Sequence, residues 1–183
     1  MIRYDVKFGA CIMGYESVEV GQNAPSIVNV IIEIGACQAP VKYELDKDSG
    51  TLHVDRFLST SMQYPCNYGY VPNTLCDDGD PADVLVITPH ALQPGVVIES
   101  RLIGALDMTD EKGGDYKLLA VPSAQLTSLY DHVQQPTDLP EGLLSQIQHF
   151  FEHYKDLEPN KWVKIDGWLS AEEAIKRLSE SIT

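Results

Sequence analysis

Turn-forming residues break up this chain so often before residue 122 that short strands, and not long helices, are what its first two thirds can form. Between the breaks, apolar residues recur with a period of two. Val28, Val30, Ile32 and Ile34 alternate with Asn29, Ile31 and Glu33, which predicts a strand over residues 28–34 with Glu33 on the face opposite the apolar set. In the next strand, 41–45, Val41, Tyr43 and Leu45 take one face while Lys42 and Glu44 share the other. Asp46-Lys47-Asp48-Ser49-Gly50 is a turn, so 51–57 runs back as a hairpin partner and brings Arg56 near Lys42 and Glu44. Further strands are predicted over 84–88, over 96–106 after Pro94-Gly95, and over 116–121 after Gly113-Gly114. Helical spacing is confined to 140–157 and 170–182, the second opening on a capping box from Ser170 to Glu173. The lack of βαβ alternation argues against a doubly wound sheet; the expected fold is mainly β (α+β), a small closed antiparallel barrel with C-terminal helices packed on it.

Composition limits what such a barrel can serve. At 183 residues, 44% hydrophobic and 22% charged, the chain suits one globular domain with a sizeable core, expected over 13–183. Residues 1–12 show no clear period and are expected to be a mobile leader, with Met13 an alternative start. Acidic residues outnumber basic ones 27 to 13, and a net charge of -14 argues against non-specific nucleic-acid binding, which needs basic neutralisation of phosphates. The four cysteines, Cys11, Cys37, Cys66 and Cys76, form no Cys-x-x-Cys pair, which favours a reducing compartment and hence the cytoplasm. No apolar run approaches the roughly 20 residues of a membrane span, and Met1-Ile2-Arg3-Tyr4-Asp5-Val6-Lys7 lacks a signal-peptide profile.

Chemistry concentrates in Asp77-Asp78-Gly79-Asp80-Pro81-Ala82-Asp83, four carboxylates within seven residues directly before the apolar run Val84-Leu85-Val86-Ile87. Like charges this close raise one another's pKa unless a cation or basic groups compensate them, and carboxylate oxygens are the ligands hard ions such as Mg2+ select. Taken by itself, the run reads first as a solvated turn built from aspartates, the commoner use of Asp-Gly-Asp sequences. An EF-hand fits poorly, because counting from Asp78 the fifth position is Ala82, the sixth Asp83 and the twelfth Pro89. A second acidic set, Asp110-Glu111-Lys112-Gly113-Gly114-Asp115-Tyr116-Lys117, places Asp110 and Asp115 on either side of a tight connection. Lys42, Arg56 and Lys117 add groups that collect phosphate oxygens, so carboxylates and cations together suit a polyanion that arrives with metal.

His149-Phe150-Phe151-Glu152-His153 points elsewhere, matching the His-x-x-Glu-His pattern of inverted zinc peptidases. Leu143, Ile147, Phe150, Phe151 and Tyr154 define the apolar stripe of that helix, however, and both histidines fall away from it. Tyr154 on the stripe and Lys155 at its edge are the residues there that could reach a neighbouring site.

Asp78-Gly79-Asp80-Pro81-Ala82-Asp83-Val84-Leu85 resembles the signature of family I soluble inorganic pyrophosphatases of the bacterial type. So do Ile32-Glu33-Ile34, Lys42-Tyr43-Glu44, Asp55-Arg56, Tyr64-Pro65-Cys66-Asn67-Tyr68-Gly69-Tyr70, Met108-Thr109-Asp110, Asp115-Tyr116-Lys117 and His153-Tyr154-Lys155-Asp156-Leu157, in the same order, from about residue 20 onward. The resemblance implies hydrolysis of pyrophosphate to two phosphates with several Mg2+ ions, on an OB-like barrel, in a homohexamer. It implies that Asp78, Asp83 and Asp115 hold the tightest metal, with Asp83 shared with a second ion, that Asp110 joins Asp115 around a further one, and that Glu33 and Glu44 line the same cavity. Asp80 resembles the residue that takes the proton from the attacking water; Lys42, Arg56, Tyr68, Lys117, Tyr154 and Lys155 resemble groups holding phosphate oxygens, with Tyr64 at the edge. Gly35-Ala36-Cys37 departs from a stretch that often starts with proline, and Asp77 and Asp107 have no role in the pattern. The alternative is an inactive barrel that binds metal-phosphate ligands as a sensor or scaffold.

Overall fold

A computed structural model describes residues 14–46 and 49–183. The expected leader, Met13, and the tip of the first hairpin turn at 47 and 48 lie outside the described residues. Among the described residues, eight strands and two α-helices follow one another as β1 (Ile27–Ile34), β2 (Val41–Asp46), β3 (Thr51–Phe57), β4 (Asn67–Tyr70), β5 (Asp83–Val86), β6 (Val97–Asp110), β7 (Gly113–Pro122), α1 (Glu141–His153), β8 (Val163–Leu169) and α2 (Ala171–Ser181).

Strands β1, β4, β5, β7 and β6 are hydrogen-bonded in that order, and β6 pairs again with β1, so the sheet closes on itself. Four of its seams are antiparallel, as expected, and the β5–β7 seam is parallel. The parallel seam follows from connectivity: β6 intervenes between β5 and β7, so no hairpin ties their directions. Closure depends on the length of β6. Its first residues, Val97 to Arg101, pair with β1, and its later ones, Ala105 to Asp110, pair along the same edge with β8. Between these stretches β6 shifts register at Gly104, where a Cβ would lie 2.4 Å from Pro136 Cγ and 2.5 Å from the Leu169 carbonyl oxygen. The hairpin β2–β3 stands apart as a two-stranded sheet.

Both faces of the ring are buried. Val84 and Val86 of β5 and Leu118 and Ala120 of β7 pack in one cluster with Ala174 and Leu178 of α2. Their neighbours Leu85, Ile87, Leu119 and Val121 pack in a second cluster with Ile147, Phe150 and Phe151 of α1. Each helix thus contributes its apolar stripe to one layer, and α2 begins on the expected reciprocal cap, Ser170 Oγ accepting from the Glu173 amide.

Several boundaries differ from those the sequence pattern predicts. Helix α1 ends at His153, and residues 154–157 continue as turns. Strands β4 and β8 are additions to the predicted set. The simple alternation of β1 also fails at its end: Ile32 pairs with Gly69 and Ile34 with Tyr68, which leaves Glu33 as the extra residue of a bulge. Ile34 consequently joins a different cluster from Val28, Val30 and Ile32, and Glu33 is buried. Gly69 makes this seam possible, since a Cβ there would sit 1.9 Å from the Ile31 carbonyl oxygen.

Candidate active site

Every site residue inferred from sequence opens onto one of two adjoining cavities. Lys42, Arg56, Tyr68, Asp78, Asp80, Asp83, Asp110, Asp115, Lys117, Tyr154 and Lys155 line a cleft of about 350 Å³, with Tyr64 also on its wall. Glu33 and Glu44 instead line a smaller cavity of about 80 Å³, which shares Lys42, Tyr68, Asp78, Asp80 and Asp83 with the cleft. The unassigned Asp77 faces the cleft too, whereas Asp107 pairs with Arg177 at 2.8 Å, accounting for its charge.

The acidic loop is built to keep one shape. Thr74, buried at its start, donates its hydroxyl to the Val71 carbonyl at 2.7 Å and accepts from the Ala82 amide at 2.9 Å, so one side chain ties both ends. Inside it, the Cys76 amide donates to the Asp80 carbonyl at 2.8 Å and the Gly79 amide to the Cys76 carbonyl at 2.9 Å, with Gly79 at φ 86°. Asp78 Oδ1 accepts from the Asp80 amide at 3.1 Å, so this aspartate is a turn former within the loop. From the other side, the Leu75 amide donates to the Ser181 carbonyl at the end of α2, at 2.7 Å.

The parallel seam then sets charge against charge. Val84 pairs with Leu118, which brings Asp83 beside Lys117. Lys117 Nζ lies 2.5 Å from Asp83 Oδ2 and 2.7 Å from Asp115 Oδ2. Burial alone would lower the Lys117 pKa, but the two carboxylates more than reverse this, so the ammonium stays charged. Asp115 is pushed up by burial, with Lys117 working against the shift. Burial also opposes the charge on Asp110, yet hydrogen bonds from Lys155 Nζ at 2.9 Å and the Lys112 amide at 2.8 Å hold it below the ordinary range. In the smaller cavity, burial pushes Glu33 up to about 7, although the Leu45 amide donates to it at 2.8 Å.

Cations and hydroxyls form the facing wall. Lys42 and Arg56 sit directly across the β2–β3 ladder, and a bulge leaves Asp55 as the extra residue beside them. Lys42 Nζ lies 3.3 Å from both Glu44 and Asp55; Arg56 Nε, 3.6 Å from Asp55, is buried without a hydrogen-bond partner. Two cations side by side with a donor to spare suit an anion's oxygens. Aromatic packing fixes the hydroxyls. Tyr154 stacks on Phe150 at 5.2 Å, and Tyr64 contacts Phe150 at 4.5 Å and Tyr68 at 5.1 Å. Burial first, and the charge of Asp83 second, keep the Tyr68 phenol protonated.

Glu111, Lys112 and Lys161 also line the cleft, and no sequence motif singles them out as site residues. Lys161 bonds Glu111 across 50 residues of chain, a contact no local pattern announces, although Glu111 adjoins Asp110 in the second acidic set. His149 and His153 do not line the cleft. The donor set there is oxygen throughout, which fits a hard divalent ion such as Mg2+.

Three comparisons bear on this site. Residues 30–183 match the family model described as inorganic pyrophosphatase. The chain is 59% identical over 162 residues to the inorganic pyrophosphatase of Yersinia pestis, covering 88% of this chain and 93% of that one. It is 54% identical over 170 residues to the inorganic pyrophosphatase of Pseudomonas aeruginosa, covering 93% and 97%. An inorganic pyrophosphatase structure from Coxiella burnetii superposes with a TM-score of 0.87 at 53% identity, covering 90% of this chain and 98% of its own.

Proposed function

The chain belongs to the inorganic pyrophosphatase family and hydrolyses inorganic pyrophosphate to two orthophosphates, and we propose that it does so with Mg2+ in the cleft described above. The observation that carries this reading is the apposition, in one cleft, of five aspartates, Asp78, Asp80, Asp83, Asp110 and Asp115, with Lys42, Arg56 and Lys155. Pyrophosphate is a compact polyanion, so its attack by water requires that its charge be neutralised.

Asp78, Asp83 and Asp115 would hold the tightest ion, with Asp83 shared with a second; Asp110 and Asp115 would flank a further one, and Glu33 and Glu44 line the adjoining cavity. When bound, the ions supply charge neutralisation of the diphosphate and acidify the attacking water. Asp80 takes the proton from that water, on a loop whose carbonyl at the same residue is anchored by Cys76. Lys42 and Arg56 bind phosphate oxygens from the hairpin side, while Tyr154 and Lys155 bind them from the end of α1. Tyr68, protonated by burial, donates from the ring wall. Lys117, paired with Asp83 and Asp115, adds a donor to the phosphate oxygens.

Phosphate release from pyrophosphate measures this directly. It is expected to require added Mg2+, to stop with excess chelator, and to be abolished in Asp83→Ala; activity indifferent to chelator would overturn the reading. The alternative of an inactive sensor barrel is not favoured, since the relatives matched along most of their length carry the enzyme's name.

Residues 13–183 act in this reading as one domain, in a homohexamer in the cytoplasm. Free Cys37, Cys66 and Cys76 support a reducing compartment. Among the described residues, no helix is long and apolar enough to cross a membrane. Exposed Phe57, Leu157 and Trp162 give an assembly apolar surface to cover. Light scattering is expected to give six times the 20.3 kDa chain mass.

A further inference from the structure

We propose that Tyr116 is a positioning residue for the tightest metal site: held in place by Arg177, it braces the acidic loop through the thiol of Cys76. This rests on the proposed role of Asp78, Asp83 and Asp115 as ligands of that ion. Alternation along β7 puts Asp115 and Lys117 into the cleft and Tyr116 on the opposite face, where it packs with Cys76 against the layer that contains Ala174 and Leu178 of α2. Its phenol oxygen lies 3.4 Å from Cys76 Sγ, a hydrogen bond that joins residues 40 positions apart in the chain.

Arg177 fixes the ring. Its guanidinium carbon lies 5.4 Å from the centre of the Tyr116 ring. The guanidinium is itself held by Asp107, with Nη1 donating to Oδ1 at 2.8 Å and Nη2 to Oδ2 at 3.3 Å. Asp107 is the residue directly opposite Tyr116 in the β6–β7 ladder, so one arginine from α2 spans a cross-strand pair. The ion pair that accounts for the charge of Asp107 thereby also sets where the Tyr116 hydroxyl stands.

The loop needs such a brace. Asp77, Asp78, Gly79 and Asp80 are all exposed. Behind the metal carboxylates lies a further pocket of about 310 Å³, whose lining includes Cys76, Asp78, Asp83, Asp115, Tyr116 and Arg177. Close packing therefore does not hold the loop on that side. Cys76 is where a tether acts on it: its amide donates to the Asp80 carbonyl and its carbonyl accepts from the Gly79 amide, so a shift of Cys76 moves the turn that carries Asp78. With the neighbouring Leu75 amide bonded to the Ser181 carbonyl, α2 grips the loop at two successive residues, once directly and once through Arg177 and Tyr116.

Isothermal titration of Mg2+ into the full chain without substrate tests this. Tyr116→Phe keeps the ring under Arg177 and loses only the hydroxyl. It is expected to weaken the tightest Mg2+ site by about three- to tenfold, the factor that one hydrogen bond sets, and to raise the Mg2+ concentration for half-maximal activity by the same factor. At saturating Mg2+ its kcat is expected to match that of the wild type, which also shows the variant folded. Cys76→Ala is expected to weaken the site equally, the double variant no further, and Cys76→Ser to keep the wild-type affinity, because the two side chains act as one contact. Unchanged affinity in Tyr116→Phe and Cys76→Ala, or losses that add in the double variant, with tight binding still abolished in Asp83→Ala, overturns the positioning role alone. Tight binding that survives Asp83→Ala overturns the ligand assignment and this inference with it.

Discussion

In the cleft, Asp83 and Asp115 share the buried ammonium of Lys117 and Asp110 binds that of Lys155, whereas at the end of α1 two histidines and Glu152 converge on a surface where water supplies the solvation. The difference follows from solvent. Buried carboxylates cannot stand together without counter-charge, so the sequence interleaves lysines among them; a half-exposed cluster is stabilised by water and can leave its polar atoms close. The two regions are therefore stabilised differently: by electrostatic balance within the cleft, and by exposure to solvent on the helix surface.

Removing the counter-charge is the strongest way to break that contrast. Lys117→Met leaves two carboxylates facing each other in the cleft and is expected to cost about 3–5 kcal/mol in denaturant unfolding without metal. Adding Mg2+ is expected to restore part of it, because the ion takes over the neutralisation. On the helix, Asp156→Asn removes an exposed partner of His153 and is expected to cost under about 1 kcal/mol. Equal costs would erase the distinction.

Glu33 sharpens it through pH. Its folded pKa, raised from 4.5 to about 7, means the folded state binds more protons than the unfolded state between those values. Stability in chelator is therefore expected to fall as pH rises through that window, and Glu33→Gln is expected to flatten the fall. A wild-type profile parallel to that of the variant would contradict the burial argument.

A smaller effect is expected at Thr74, which touches no substrate group but ties both ends of the acidic loop. Thr74→Val keeps the volume, loses both hydrogen bonds, and is expected to cost about 1–3 kcal/mol. It is also expected to weaken metal binding and lower kcat, with Thr74→Ser restoring both. Loss of stability with unchanged kcat would make Thr74 a structural residue only.

Much of this architecture is legible in the amino-acid pattern alone. The hairpin β2–β3 and helix α2 can be read there because alternation, turn residues and a capping box agree locally. Strand β4 cannot, being four residues long and containing Gly69, a glycine required by the β1 backbone across the seam and not by its own strand. Strand β8 does alternate, Val163 and Ile165 against Lys164 and Asp166, but Gly167 interrupts the pattern. Ring closure is unreadable in detail, because it depends on one long strand, β6, changing partners along a single edge. The cleft residues follow from motifs in a recognisable order. Glu111 and Lys161 escape because their meeting depends on how the β6–β7 turn and the segment after α1 fold together.

In the proposed mechanism, proton transfer and metal binding separate most directly at Asp80. Turnover of pyrophosphate and Mg2+ affinity would be measured side by side in Asp80→Asn. There kcat is expected to fall by roughly 10²–10⁴-fold while the tightest Mg2+ affinity stays near that of the wild type. Unchanged kcat, or a kcat loss that disappears once Mg2+ is raised to saturation, would contradict Asp80 as the base.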